Sequence, residues 1–245
     1  MNICKALLAV VLVGLFGGCA TTDVPKVPEP AGRVAVVVVM SPVLRFHSMG
    51  YVPAFQSGDS VPAEVIDVRE VVQSEAEAQF ADAGFNRVDP TPELEAFAAG
   101  VTSRWLKDEQ VAQLKALSAQ ADSVVVIFDG RNVNNYGVEN GFGGIEVIPS
   151  KILGFKALIV SEHTEIVAFS TRTGARIGFS DKAACFREVR EVPFHEKWKE
   201  FAESDQDKLI AIVKESVQDA IARGLTDLFK KIQPGNPSPV DTSLQ

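Results

Sequence analysis

Two stretches of the chain offer no polar face: VAVVVVM at Val34–Met40 and SVVVIF at Ser123–Phe128. A strand with one wet side alternates apolar and polar residues, so a strand apolar at every position must be covered on both sides. That selects a layered α/β architecture: a mixed sheet with helices on its faces. Helical spacing lies between the two runs. Asp67 is placed to cap a helix whose Val68, Val72, Ala76 and Phe80 share one face, and Gly84 ends it with Phe85 folding back. A short FNRV strand follows, and Asp108 precedes a second helix carrying Val111, Leu114, Leu117 and Ala121 at helical spacing.

The second half predicts an antiparallel meander. GFKALIVSEHTEIVAFSTRTGARIGFSD, Gly154–Asp181, divides into three strands with turns at SEHT and at Thr173-Gly174. A long C-terminal amphipathic helix then starts near Ser204 or Asp205. Its stripe is Ile210, Val213, Val217, Ile221, Leu225, Leu228 and Ile232; Lys230 and Lys231 suit the negative end of its dipole, and Pro234-Gly235 stops it. Gly224 inside that helix costs about 1 kcal/mol relative to Ala, which points to a close approach there.

The net charge is −8, with no basic block. Phosphate binding rests on clustered Lys and Arg, so nucleic acid is a poor partner, and attraction to anionic lipid is equally disfavoured. Of three cysteines, Cys185 reads as a small buried hydrophobe rather than a reactive thiol.

The amino terminus carries Lys5, then eleven apolar residues from Ala6 to Phe16, Gly17-Gly18 and Cys19. The run suits a secretory signal and is too short for a membrane span, which needs about 20 residues. Cys19 resembles the cysteine of the bacterial lipoprotein signal, the lipobox, although Phe16 replaces the usual aliphatic residue. The resemblance implies cleavage before Cys19, a palmitate-type lipid anchor on Cys19 and attachment to a membrane in the cell envelope. Ala20 implies the inner face of the outer membrane, facing the periplasm, in a Gram-negative host. ATTDVPKVPEPAG, Ala20–Gly32, would be an extended tether of at most about 40 Å. The expected organisation is a signal peptide over 1–18, lipidated cysteine and tether over 19–32, a single α/β domain over 33–233 and a disordered tail over 234–245.

The body adds a second likeness. A buried strand after the tether, a helix ending in ADAGFNRVD, then QADSVVVIFDGR, VAFSTRTGARIG and a final amphipathic helix follow one another from Arg33 to Ile232. That order resembles the periplasmic lipoprotein domains typified by the curli secretion channel subunit CsgG, with LpoB and the TolB amino-terminal domain similar. It implies a non-catalytic domain that binds an envelope protein or associates with its own copies, with no cofactor. No functional residue carries over position by position.

Candidate sites are few. FDGRNVNNY places Asp129, Arg131, Asn132, Asn134, Asn135 and Tyr136 beyond the carboxyl end of a buried strand, where open α/β sheets bind ligands. The alternatives are a polar turn bonding its own backbone, or the site of a tethered periplasmic enzyme or small-ligand receptor. Phe194, Trp198 and Phe201 share one helical face, as core by default or as a partner patch if left uncovered. GVENGFGG lacks the Gly-Lys-Ser/Thr of a phosphate loop and reads as a crossover, with a membrane hairpin over 137–155 as the lesser alternative. His47, His163 and His195 have no metal spacing, and His163 and His195 are expected in solvated positions. No nucleophile elbow accompanies them, so the chain reads as a non-enzyme without a metal.

Overall fold

A computed structural model describes residues 32–48, 57–61, 64–130, 132–133, 139–140, 144–148 and 156–232. The elements are β1 (Arg33–Val39), β2 (Arg45–Ser48), β3 (Ser57–Ser60), α1 (Val68–Asp82), β4 (Asn86–Val88), α2 (Pro92–Ala99) and α3 (Asp108–Ala116). After these come β5 (Ser123–Asp129), β6 (Asn132–Val133), β7 (Glu139–Asn140), β8 (Gly144–Ile148), β9 (Ala157–Ser170), β10 (Arg176–Glu188), a 3₁₀ turn (Trp198–Glu200) and α4 (Glu203–Ile232).

The architecture is the mixed, layered α/β sheet expected. Strand order is β3-β2-β8-β9-β5-β1-β4, with β10 on the other edge of β9 and β6-β7 as a separate pair. β1 lies parallel to β5 and β4, and β9 runs antiparallel to β5, β8 and β10. Both faces of the interior strands are covered, which is why their sequences do not alternate. Val34, Val36, Val125 and Ile127 pack into a core with α1 and α4, while Ala35, Val37, Val124, Val126 and Phe128 pack with α2 and α3.

Local chemistry sets the helix ends. Asp67 accepts the Glu70 N–H at 3.0 Å, and Val68, Val72, Ala76 and Phe80 are the buried face of α1. Gly84 takes the left-handed conformation (φ 74°), returning Phe85 to 5.3 Å from Phe80 and 4.9 Å from Phe229. Thr91 caps α2 by accepting the Leu94 N–H, with Pro92 in its first turn. In α3, Asp108 is the first helical residue rather than the cap, and Leu117 and Ala121 are buried after the helix has ended.

The meander is present with different boundaries. Its strands are β8, β9 and β10, and SEHT lies inside β9 instead of turning the chain. Pairing with β10 along all four residues makes that polar stretch part of a ladder on one edge. The Thr173-Gly174 turn stands, with Gly174 at φ 73°.

Every residue of the expected α4 stripe is buried. A Cβ on Gly224 would lie 2.5 Å from Ala183 Cβ and 2.8 Å from Ile166 Cδ1. Gly224→Ala gains about 1 kcal/mol of helix propensity and loses about 1–3 kcal/mol to overpacking. The expected outcome is a net loss of about 1 kcal/mol in chemical denaturation, with a favourable coupling energy when Ala183→Gly is added; additive effects would contradict this contact.

Candidate functional site

At fourteen residues, β9 is longer than any one strand beside it. Along one edge its carboxyl half pairs with β5, from Thr164 opposite Asp129 to Ser170 opposite Ser123. Its amino half pairs with β8, from Ala157 opposite Ile148 to Ser161 opposite Gly144. The sheet therefore forks at Glu162 and His163, which pair with neither strand on that edge. One backbone bond bridges the gap, from Gly130 N–H to His163 O at 2.8 Å. A Cβ on Gly130 would lie 2.0 Å from His163 Cδ2, so a residue with a side chain does not fit there.

Period-two counting along β9 puts Glu162 on the face of Leu158, Val160, Ile166 and Ala168, toward α4. Its side chain is 6% exposed. Thr164 Oγ1 donates to Glu162 Oε1 at 3.2 Å, and Cys185 sits opposite on β10. Asp129, at the end of β5, is half-buried and accepts the Ser41 N–H at 3.4 Å. Met40, Ser41, Val43, Leu44, Arg45, Val68, Asp129 and Glu162 enclose a cleft of about 10 Å³, roughly room for one water.

Burial, reinforced by the Asp129 charge, pushes the Glu162 carboxyl up to about 8. Burial also raises Asp129, opposed by the Ser41 N–H and the positive field of Arg45. The Cys185 thiol is pushed up to about 12 by burial and then by Glu162, which fits a packed apolar role better than a nucleophile. The two carboxyls line one cleft, so a proton kept on Glu162 avoids placing two like charges there.

Asp129 is the expected site residue that the structure places here. Asn132 lies in β6, opposite Asn140, and Arg131, Asn134, Asn135 and Tyr136 fall outside the described residues. Glu162 was the functional candidate missed, because SEHT was read as a turn. The signal was available: continuing the alternation of LIV through SEHT into EIVA carries one acid onto the apolar face.

The aromatic stripe is core. Trp198 and Phe201 are buried with their rings 6.0 and 5.8 Å from Phe46, and half-buried Phe194 packs against the same cluster. A 3₁₀ turn spans Trp198–Glu200 in place of the expected helical face, so these residues form no open patch. β8 also overturns the hairpin reading for its own residues: it pairs with β2 and β9 and buries Ile145 and Val147 in the domain. The remaining residues of 137–155 lie outside the described set, apart from β7. His163 is a half-buried strand residue, not a turn residue, and half-buried His195 packs edge-on to Phe201 at 4.9 Å. For His47 the description stops at its place in β2.

A larger open groove of about 380 Å³ runs between the start of α1 and the middle of α4, past Glu64, Val65, Glu70, Ser74 and Lys214. Among the described residues there is no cluster of three or more metal-ligating acids, histidines or cysteines. No helix among them is long and apolar enough to cross a membrane.

No family model and no curated protein matches the chain. Among solved structures it is similar to a Xanthomonas campestris protein of the DUF330 family, at 9% identity over 81% of this chain and 82% of that one, with a TM-score of 0.40. It is also similar to the lipoprotein GNA1162 of Neisseria meningitidis, at 12% identity over 77% and 99% of the two chains and a TM-score of 0.32. A PelC dodecamer from Paraburkholderia phytofirmans gives 12% identity over 78% and 86%, with a TM-score of 0.30. Likenesses at these scores assign neither family nor activity to the chain.

Proposed function

We propose that the chain is a lipid-anchored protein of the cell envelope whose α/β domain acts by binding another envelope protein or further copies of itself, without catalysis. The observation that carries this reading is the order of the first 33 residues: signal-like core, paired glycines, Cys19, proline-rich stretch and then immediately a sheet strand. Acyl chains on Cys19 hold the protein at the membrane, each buried CH₂ contributing about 0.8 kcal/mol. Residues 1–18 are the signal, 19–32 the tether, 33–233 the working domain and 234–245 a tail, on the inner face of the outer membrane.

The domain has a firm handle where such a tether would join it. Arg33 N–H donates to Asp122 Oδ2 at 2.7 Å, and its guanidinium reaches Ala119 O at 3.2 Å. The Arg33 N–H bond holds the Asp122 carboxyl below its ordinary range. A Cβ at Gly32 would lie 2.5 Å from Asp122 Oδ2, so glycine lets the chain enter β1 beside that carboxylate. The non-catalytic part of the reading is supported at Asp129, where the cleft among the described residues has room for about one water. Organic ligands occupy pockets of about 300 Å³ or more.

Cys19→Ala is expected to move the protein from the membrane pellet to the soluble fraction while leaving the domain folded. Mass spectrometry of the parent's first peptide should show Cys19 carrying acyl mass. A mutant that stays with membranes after a salt wash would refute the anchor. In-cell crosslinking of the parent should give a defined envelope adduct or a ladder of copies, and recovery of monomer alone would refute the binding role.

A further inference from the structure

Most of the sheet is closed by ladders and apolar packing, but at the fork two carboxyls line a cleft and, among the described residues, one backbone bond crosses the gap. Glu162 and Asp129 share the face covered by α1 and α4, each at the position where its strand loses or changes a neighbour. The groups that face them can be named element by element. β2 contributes Arg45, whose field acts on Asp129. β10 contributes Cys185, opposite Glu162, and it is Cys185 that the α4 charges Asp219 and Arg223 act on, with the Arg223 guanidinium donating to Ala184 O at 2.8 Å. α1 contributes Val68 to the lining of the cleft. β9 itself adds the Thr164 hydroxyl and the His163 N–H.

We infer that this fork is a proton-controlled joint: a proton on Glu162, beside Asp129 in the same cleft, keeps the β5–β1 and β8–β2 arms closed over β9, and its loss parts them there. Two ionised carboxylates on one face repel each other, and a charge removed from water is costly to leave unhydrated. Glu162 itself is 6% exposed, and farther along the same face Gly224 brings α4 within contact distance of Ala183 and Ile166. The remaining route for water is the cleft at Ser41 and Arg45, which has room for about one molecule. Hydrating a second charge therefore requires that cleft to widen, and widening it strains the Gly130–His163 bond, the single backbone tie across the gap among the described residues.

The test is amide hydrogen exchange on the purified full-length protein in detergent, at pH 6 and pH 9, for peptides covering 123–130 and 157–165. After correction for intrinsic rates, the parent should exchange about tenfold faster at the fork at pH 9 than at pH 6, and Glu162→Gln should not. Peptides from the middle of α4 should keep their protection in both proteins. Asp129→Asn removes the negative charge beside Glu162, so Glu162 should lose its proton more readily and the midpoint of the transition should move to lower pH. Equal exchange in parent and Glu162→Gln at pH 9 would overturn the joint, as would an increase spread evenly into α4. A midpoint in Asp129→Asn that stays in place or rises would overturn it as well, and this readout survives if Glu162→Gln fails to fold.

Discussion

Gly144→Ala is expected to destabilise the domain by about 3–5 kcal/mol, a large effect for the addition of one methyl group. Gly144 opens β8 with φ at 135°, a conformation that L side chains rarely adopt. Holding a non-glycine residue in such a region costs about 1–3 kcal/mol. The new Cβ would also lie 2.3 Å from Arg45 O and 3.0 Å from Arg45 C. Those atoms are backbone, so they cannot rotate away as a flexible side chain would. Moving them pulls β2 off β8, where Phe46 pairs with Ile145, both fully buried. Overpacking adds about 1–3 kcal/mol, and the stiffer unfolded chain returns less than about 1 kcal/mol. Gly84→Ala is the control: its φ is also positive, but open space surrounds the added Cβ, so strain of about 1 kcal/mol should be its whole cost. Urea unfolding followed by the fluorescence of buried Trp198 would measure both variants. Equal losses in the two would mean that β8 does not approach β2 as described.

The contrast between these glycines also shows what the sequence could disclose. Gly84 was legible because its neighbours announce a helix end, with an apolar face finishing at Phe80 and an aromatic returning at Phe85. The same kind of local signal gave β1, β5, α1 and α4, whose apolar patterns are long and of one period. β2 and β3 were not legible. RFHS and SGDS are four residues each and carry too little periodicity to be distinguished from loop. β2 is a strand because β8 offers it a ladder, and β3 because β2 does; β8 itself sits after a glycine-rich stretch that reads as a crossover. The turn assigned to SEHT failed for a related reason. Polar residues punctuate most sheets, and only the long-range pairing of β9 with β8 and β10 keeps this stretch extended.

The candidate site divides along the same line. Asp129 was found because the end of a doubly covered strand is recognisable from one dimension. Glu162 is separated from it by more than thirty residues, and no local spacing links two acids that line one cleft from different strands. The aromatic stripe at Phe194, Trp198 and Phe201 had two readings, and its destination was set by Phe46, a residue of a strand that the sequence did not reveal. In each case the unread element is short and its fate is decided by tertiary neighbours.

The second large effect is a stability profile that falls where many proteins are flat. Glu162 holds its proton in the folded chain up to about 8, against an ordinary value of 4.5. Between those limits the unfolded chain has released a proton that the folded chain retains. The folded state therefore binds more protons, and unfolding becomes easier as pH rises through that window. Below 4.5 both states are protonated and Glu162 contributes no slope; above about 8 both are ionised and the loss is complete. At about 1.4 kcal/mol per pH unit, the full effect is on the order of 5 kcal/mol as an upper bound. Asp129, also raised by burial, works in the same direction. Asp227, lowered by its bonds to Lys231 and Lys182, works oppositely: its contribution is present above its ordinary value of 3.8 and disappears at lower pH. Stability should accordingly climb as acid is removed toward about pH 5 and decline from there to about pH 8. Glu162→Gln isolates the cause, because the amide is neutral at every pH and its oxygen can still accept the Thr164 hydroxyl. The variant should match the parent near pH 5 and exceed it by several kcal/mol near pH 8 in urea titrations. Parallel curves for the two proteins across that range would show that Glu162 is not carrying a buried proton.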